Sequence, residues 1–195
     1  LSSTGGVITS AQVLMDVVPK DQSLAVEAKV PPQLIDKVRA GLAHAEQFGV
    51  PTFVVEPGLF DSREQWSQML LENVRYHNPD LVLLAGFMKV LPENFVSELS
   101  PNLINLHPSL LPAFPGAHAV RDALAAGASN TGATVHIVDA GVDTGPVLAQ
   151  REVAIVAGIS ESELHEQIKV VERSLIVEVV AEIAEGKLNL AERAN

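Results

Sequence analysis

A chain of 195 residues with 47% hydrophobic content and ordinary glycine and proline counts can bury one sizeable core, which excludes a disordered chain and predicts a single domain over residues 1–195. A net charge of −11 argues against nucleic acid and anionic membranes as partners, and one Trp and one Tyr offer no stacking platform for bases. With no cysteine and no apolar run of about 18 residues, a disulfide framework, a thiolate metal site and a membrane span are excluded, no metal is expected, and the cytoplasm is the expected compartment.

Strand and helix signals alternate along the chain. Thr52 to Glu56 reads as a strand, and Ser62 to His77 as an amphipathic helix capped by Asp61 or Ser62 and ending before Asn78-Pro79. Asp80 to Gly86 is a continuous apolar run after its first residue, the pattern of a strand covered on both faces and hence of a parallel sheet. A short helix runs from Pro92 to Leu99, a strand from Asn102 to Leu106, and a helix from His118 to Ala126 closed by Gly127. Thr131 to Val138 and Val147 to Ile155 are the last strands, and Ser160 to Glu185 is a long helix with Ser160 and Glu163 as a capping box. Ala191 to Asn195 reads as a frayed tail. This order predicts an α/β domain: a doubly wound, mostly parallel sheet with helices on both faces. No repeat, low-complexity tract or linker interrupts it.

The chemistry concentrates in Asn105-Leu106-His107-Pro108 and in Asp143, 36 residues after His107. Residues two apart on a strand point to one side, so Asn105 and His107 can converge on one substrate atom. The following prolines stop the ladder and leave the pair at a strand end, where open α/β sheets hold their ligands. An amide, an imidazole and a carboxylate together suit acyl transfer: one polarises a carbonyl, one moves a proton, and one sets the charge of the imidazole. The plainer readings are a hydrogen-bonded structural histidine and a loop aspartate making a local turn bond before Thr144-Gly145-Pro146.

Asn105-Leu106-His107-Pro108-Ser109-Leu110-Leu111-Pro112-Ala113-Phe114-Pro115-Gly116, then Thr131-Gly132-Ala133-Thr134-Val135-His136 and Asp143-Thr144-Gly145-Pro146, resemble the folate-dependent formyltransferases. The resemblance runs from about Val50 to Ala184. It implies the Rossmann-like fold of that family, 10-formyltetrahydrofolate as co-substrate, and catalysis by Asn105, His107 and Asp143. Within the family, Phe114-Pro115-Gly116-Ala117-His118 and Leu84 to Leu91 suit the members that formylate glycinamide ribonucleotide in purine biosynthesis, so that ribonucleotide is the implied acceptor. By the same resemblance Arg63, Met88, Lys89, Val90, Leu91, Asn105, and the loop Asp139, Ala140, Gly141, Val142 and Asp143 hold the folate, while Pro108, Lys169 and Glu172 face the ribonucleotide. Met88 could equally be core filler. Lys169 and Glu172, three apart on a helix, could equally form a surface ion pair. The implied mechanism has Asn105 donating to the developing oxyanion, His107 doing so when protonated, and Asp143 raising the pKa of His107 and positioning a proton-carrying water.

Before residue 50 the resemblance fades. Family members carry a Gly-rich turn whose N–H groups and following helix bind the substrate phosphate. Here Gly5, Gly6, Thr9 and Ser10 are the candidates, either with Gly6 and Ile8 at the glycine positions or with Gly5-Gly6 at the tip of a lengthened turn. The apolar strand expected ahead of that turn is absent or cut short; either the turn leads into a helix beginning near Thr9, or Val7-Ile8 continue a strand and no phosphate nest forms. Three functions stay open at this point: a formyltransferase, a deformylase that passes the formyl group to water, and a folate or nucleotide binder without catalysis. The oligomeric state is not encoded in any feature of the sequence.

Overall fold

The central strand forms at Leu81-Val82-Leu83-Leu84-Ala85 because apolar side chains on both sides of the run find cover. In a computed structural model, which describes residues 13–18, 25–29, 45, 47, 49–87 and 89–194, this is the fourth strand of a seven-stranded sheet. The strands are β1 (Val13–Val18), β2 (Ala25–Lys29), β3 (Thr52–Phe53), β4 (Leu81–Ala85), β5 (Leu103–His107), β6 (Asn130–Ile137) and β7 (Val147–Ala154), in the order β3-β2-β1-β4-β5-β6-β7. The helices of the described residues are α1 (Arg63–Tyr76), α2 (Glu93–Leu99), α3 (Ala119–Ala125), α4 (Glu161–Ala184) and α5 (Leu190–Arg193).

Alternation along β4 assigns the two faces. Val82 and Leu84 pack with Trp66, Leu70 and Val74 of α1 and Phe95 of α2, whereas Leu81 and Leu83 pack with Leu175 and Val179 of α4. The sheet is therefore covered on both faces, as the sequence predicts for an α/β domain. The pairing is mixed rather than uniformly parallel. β2–β3 and β4–β5 are parallel, while β1–β2, β1–β4, β5–β6 and β6–β7 are antiparallel. Taken together these registers give five of the seven strands one direction, with β1 and β6 opposed. Parallel pairing needs a crossover to the far end of the sheet. The link from β5 to β6 holds only the seven-residue α3 and returns at the end it left, so β6 runs back along β5.

Boundaries follow local chemistry. Ser62 caps α1 by accepting from the Gln65 N–H, and Ser160 and Glu163 form the anticipated reciprocal box at the start of α4. Gly127 closes the turn after α3 at φ 62°, a left-handed conformation that favours glycine. Two expectations are corrected. The strand expected at Thr52 to Glu56 is limited to Thr52–Phe53, because Pro57 opens a short 3₁₀ turn through Leu59. The expected frayed tail holds the helix α5, because Asn189 caps it and Leu190 is buried against the α4 face. At the other end β1 occupies Val13–Val18, so a helix opening near Thr9 does not continue through Asp16. Gly5, Gly6, Thr9 and Ser10 themselves lie outside the described residues, as does Met88.

One buried group is unsatisfied. The Thr131 hydroxyl, on a residue 1% exposed at the start of β6, has no hydrogen-bond partner among the described residues. Thr131→Val keeps the shape and removes the polar atom, so it should raise Tm by about 2–4 °C, the shift that roughly 1 kcal/mol produces in a chain of this size. Calorimetry that showed a fall in Tm would mean the hydroxyl is bonded after all.

Candidate active site

The sheet register brings the chemistry together. Asn105 and His107 lie on the face of β5 that Leu103 shares, and antiparallel pairing sets His136 of β6 directly opposite Asn105 and Thr134 opposite His107. Asp143 reaches them from the loop between β6 and β7, at φ 54°. Its carboxylate accepts from the Gly116 N–H at 2.7 Å and stands 3.4 Å from Nδ1 of His107 and 3.5 Å from Nε2 of His136. The Asn105 Nδ2 group is 3.1 Å from Nε2 of His136 and donates to Asp143 Oδ1 at 3.4 Å. Four side chains thus form one polar cluster at the carboxyl end of β5. His136 is the member the sequence reasoning left without a role, since its position opposite Asn105 appears only once β5 and β6 are in register.

Acceptors around the two rings define their protons. Both nitrogens of His107 face acceptors, and the shorter contact, 2.9 Å from Nε2 to the Phe114 carbonyl against 3.4 Å from Nδ1 to Asp143, assigns the hydrogen of the neutral ring to Nε2; Nδ1 gains one in the imidazolium. His136 Nδ1 lies 2.9 Å from the Ile137 carbonyl, which leaves Nε2 to accept from Asn105. Both hydrogens of the Asn105 amide therefore have partners, and the longer bond to Asp143 is the easier one to exchange for a ligand oxygen.

Electrostatics corrects one expectation. Burial pushes the His107 imidazole below its ordinary value, and this outweighs the Phe114 carbonyl and the Asp143 charge, which both favour the cation. The anticipated rise is absent because the ring is 5% exposed and loses more solvation than its partners return. Asp143 moves the other way. Burial alone would raise its carboxyl, but the adjacent His136 ring, the hydrogen bond from the Gly116 N–H and the nearby His107 imidazole prevail and hold it at about 2. A carboxyl held below its ordinary 3.8 stabilises the folded state above that value and loses this contribution as the pH falls towards about 2. Urea titrations from pH 6 to pH 2 should therefore show a loss of stability that Asp143→Asn lacks; parallel curves for the two proteins would contradict the assignment.

These groups open onto a cavity of about 460 Å³. Lys89, Val90, Leu91, Asn105, His107 and Pro108 line it, as do Asp139, Gly141, Val142, Asp143, Lys169 and Glu172. Two expected residues fall elsewhere. Arg63 donates to the Val90 carbonyl and so braces the cavity wall from outside. Ala140 lines a smaller cavity of about 250 Å³, which Asp139 also borders. The surface ion pair weighed for Lys169 and Glu172 is not formed: Lys169 bonds Glu166 at 2.8 Å. Burial pushes the Glu172 carboxyl up to about 7 against the opposing charges of Lys169 and Arg173. His165, one turn before Lys169 on the same cavity wall, was not singled out by its sequence context.

The loop bearing Asp143 is built by its own side chains. Asp139 accepts from the Gly141 N–H at 3.1 Å and from the Thr144 hydroxyl at 2.7 Å, the local turn bonding that aspartate favours. That role falls to Asp139 and leaves Asp143 free to face the cleft.

Comparison with known proteins identifies the family. The formyl transferase family model matches residues 7–180. The chain is 44% identical over 183 residues to a phosphoribosylglycinamide formyltransferase of Mycobacterium tuberculosis, covering 94% of this chain and 82% of that protein. Its counterpart in Escherichia coli is 39% identical over 154 residues, covering 79% and 73% of the two chains. Among solved structures, glycinamide ribonucleotide transformylase 1 from Symbiobacterium toebii superposes with a TM-score of 0.73 at 37% identity, over 76% of this chain and 70% of that one. The chain belongs to the formyl transferase family.

Proposed function

We propose that this member of the formyl transferase family transfers the formyl group of 10-formyltetrahydrofolate to the amine of glycinamide ribonucleotide, a step of purine biosynthesis. The observation that carries the reading is the convergence of Asn105, His107 and Asp143 on one cleft, in a chain similar along most of its length to enzymes named for this reaction.

The chemistry follows from the cluster. The acceptor nitrogen attacks the formyl carbon, a carbon–nitrogen bond forms, and the formyl oxygen gains negative charge. Asn105 exchanges its 3.4 Å bond to Asp143 for a bond to that oxygen, stabilising charge that develops only in the transition state. The attacking amine then holds a surplus proton. Asp143, anionic across the neutral range, attracts that proton, and His107 Nδ1 beside it takes it up. Delivery of the proton to the folate nitrogen breaks the original carbon–nitrogen bond and leaves the side chains as they began. His136 holds the Asn105 amide in the orientation this requires.

Roles in binding belong to the same proposal. Lys89 to Leu91 with Asp139, Gly141, Val142 and Asp143 line the cavity where the folate would lie, and Lys169 and Glu172, on the same lining, would face the ribonucleotide. The phosphate-binding role of Gly5, Gly6, Thr9 and Ser10 rests on the resemblance alone. Coverage of both sheet faces supports reading residues 1–195 as one formyltransferase domain. Small molecules as partners and a cytoplasmic location are part of the reading.

The test follows the absorbance change as 10-formyltetrahydrofolate is consumed, with and without glycinamide ribonucleotide. Turnover that depends on the acceptor supports the transferase. Turnover without it would replace the reading by a hydrolase, and none in either case would leave a binding protein.

A further inference from the structure

Beneath the loop that follows β5 lies a polar chain that the reaction scheme does not use. Gln150 of β7 donates through Nε2 to the Leu111 carbonyl at 2.8 Å and to the Thr134 hydroxyl at 2.9 Å. The Thr134 hydroxyl also accepts from the Leu111 N–H at 3.1 Å and donates to the Ser109 carbonyl at 2.6 Å, which uses its full bonding capacity. Ser109 Oγ in turn donates to the Ala113 carbonyl at 2.6 Å and lies 3.3 Å from the Phe114 carbonyl. That last oxygen is the one 2.9 Å from His107 Nε2. The chain thus runs across three strands and pins the turn at Ala113, whose next residue, Phe114, presents its carbonyl to the imidazole.

We infer that Ser109, Thr134 and Gln150 are positioning residues which hold the Phe114 carbonyl against His107 and thereby fix the hydrogen on Nε2 and aim Nδ1 at Asp143. The inference rests on the catalytic reading of His107 given above. Two features make the network more than loop packing. Ser109 and Thr134 are fully buried, and unlike the Thr131 hydroxyl theirs are bonded, which offsets the cost of burying a polar atom. Phe114 stands at φ 55°, a left-handed conformation that non-glycine residues rarely adopt, and its carbonyl meets the imidazole from there. Without a fixed acceptor at Nε2, the neutral ring could place its hydrogen on Nδ1, towards Asp143, and lose the lone pair that receives the migrating proton.

Thr134→Val removes the central hydroxyl with little change in shape. It should lower kcat by about tenfold or more while KM for the formyl donor stays within about twofold, the signature of lost transition-state geometry with binding kept. The titration of the His107 ring, followed by NMR, should also move further downward, because burial already lowers it and the Phe114 carbonyl is one of the groups that counter burial by favouring the charged imidazole. Asp143 faces the ring unchanged in that variant. Thr134→Ser should restore both readouts. Should Thr134→Val fail to fold, Ser109→Ala, which deletes one oxygen, takes its place with the same expectations. A variant with normal kcat, or with a lowered kcat but an unmoved His107 titration, overturns the inference, provided that His107→Ala is inactive. Activity in His107→Ala would instead remove the catalytic reading itself.

Discussion

His107→Ala should lower turnover by about 10² or more and leave binding of the formyl donor nearly intact, the usual scale for losing a positioned proton carrier. The expectation follows from where the ring stands. Its Nδ1 is 3.4 Å from Asp143, its Nε2 is held by Phe114, and it lines the cavity rather than the core. Asn105→Ala should cost a similar factor through loss of the oxyanion donor, and the double variant should be far from additive, because the Asn105–Asp143–His107 cluster acts as a unit. Single-turnover kinetics separates chemistry from donor binding. A His107→Ala protein that turns over at near-normal rate would end the proposed mechanism.

Much of this site was legible because strand geometry is a local rule. Asn105 and His107 stand two apart on an apolar strand, and the period of two places them on one face without knowledge of any other element. The same rule made β4 readable as a strand with two covered faces. What stayed hidden depends on pairing between distant segments. His136 looks like one more residue of an apolar strand until β6 is set antiparallel to β5, which places it opposite Asn105. The Ser109–Thr134–Gln150 chain needs the register of three strands at once. The reversed course of β1 and β6 in a sheet whose other five strands share one direction was hidden for a related reason. Continuous apolar runs report that both faces are buried, which β6 satisfies, but they do not report which end the connecting chain returns to. The sign of the His107 shift was misjudged because a neighbouring carboxylate is visible in sequence whereas depth of burial is not.

Gly145→Ala should cost about 10² in turnover although it removes no catalytic group, since an ångström of misplacement can cost that much. Gly145 is buried at the base of the loop between β6 and β7, and a Cβ there would collide with the Ile137 carbonyl oxygen and come within 2.9 Å of its carbon. Those atoms are backbone of β6, whose Ile137 N–H donates to the Pro146 carbonyl at 2.9 Å, so neither side can yield without parting the strands. The displacement would pass to Asp143, two residues earlier. Its carboxylate is placed by the Gly116 N–H at 2.7 Å and by three weaker contacts of 3.4 to 3.5 Å, and the weaker ones fail first. Gly58→Ala is the control, because a Cβ at Gly58 meets nothing within 4 Å. Circular dichroism and Tm establish that each variant is folded at the assay temperature. Combining Gly145→Ala with Asp143→Asn should be hardly worse than Asp143→Asn alone, because both act through one carboxylate. Additive losses would show that Gly145 acts on some other part of the cleft, and normal turnover would show that the loop need not be held at all.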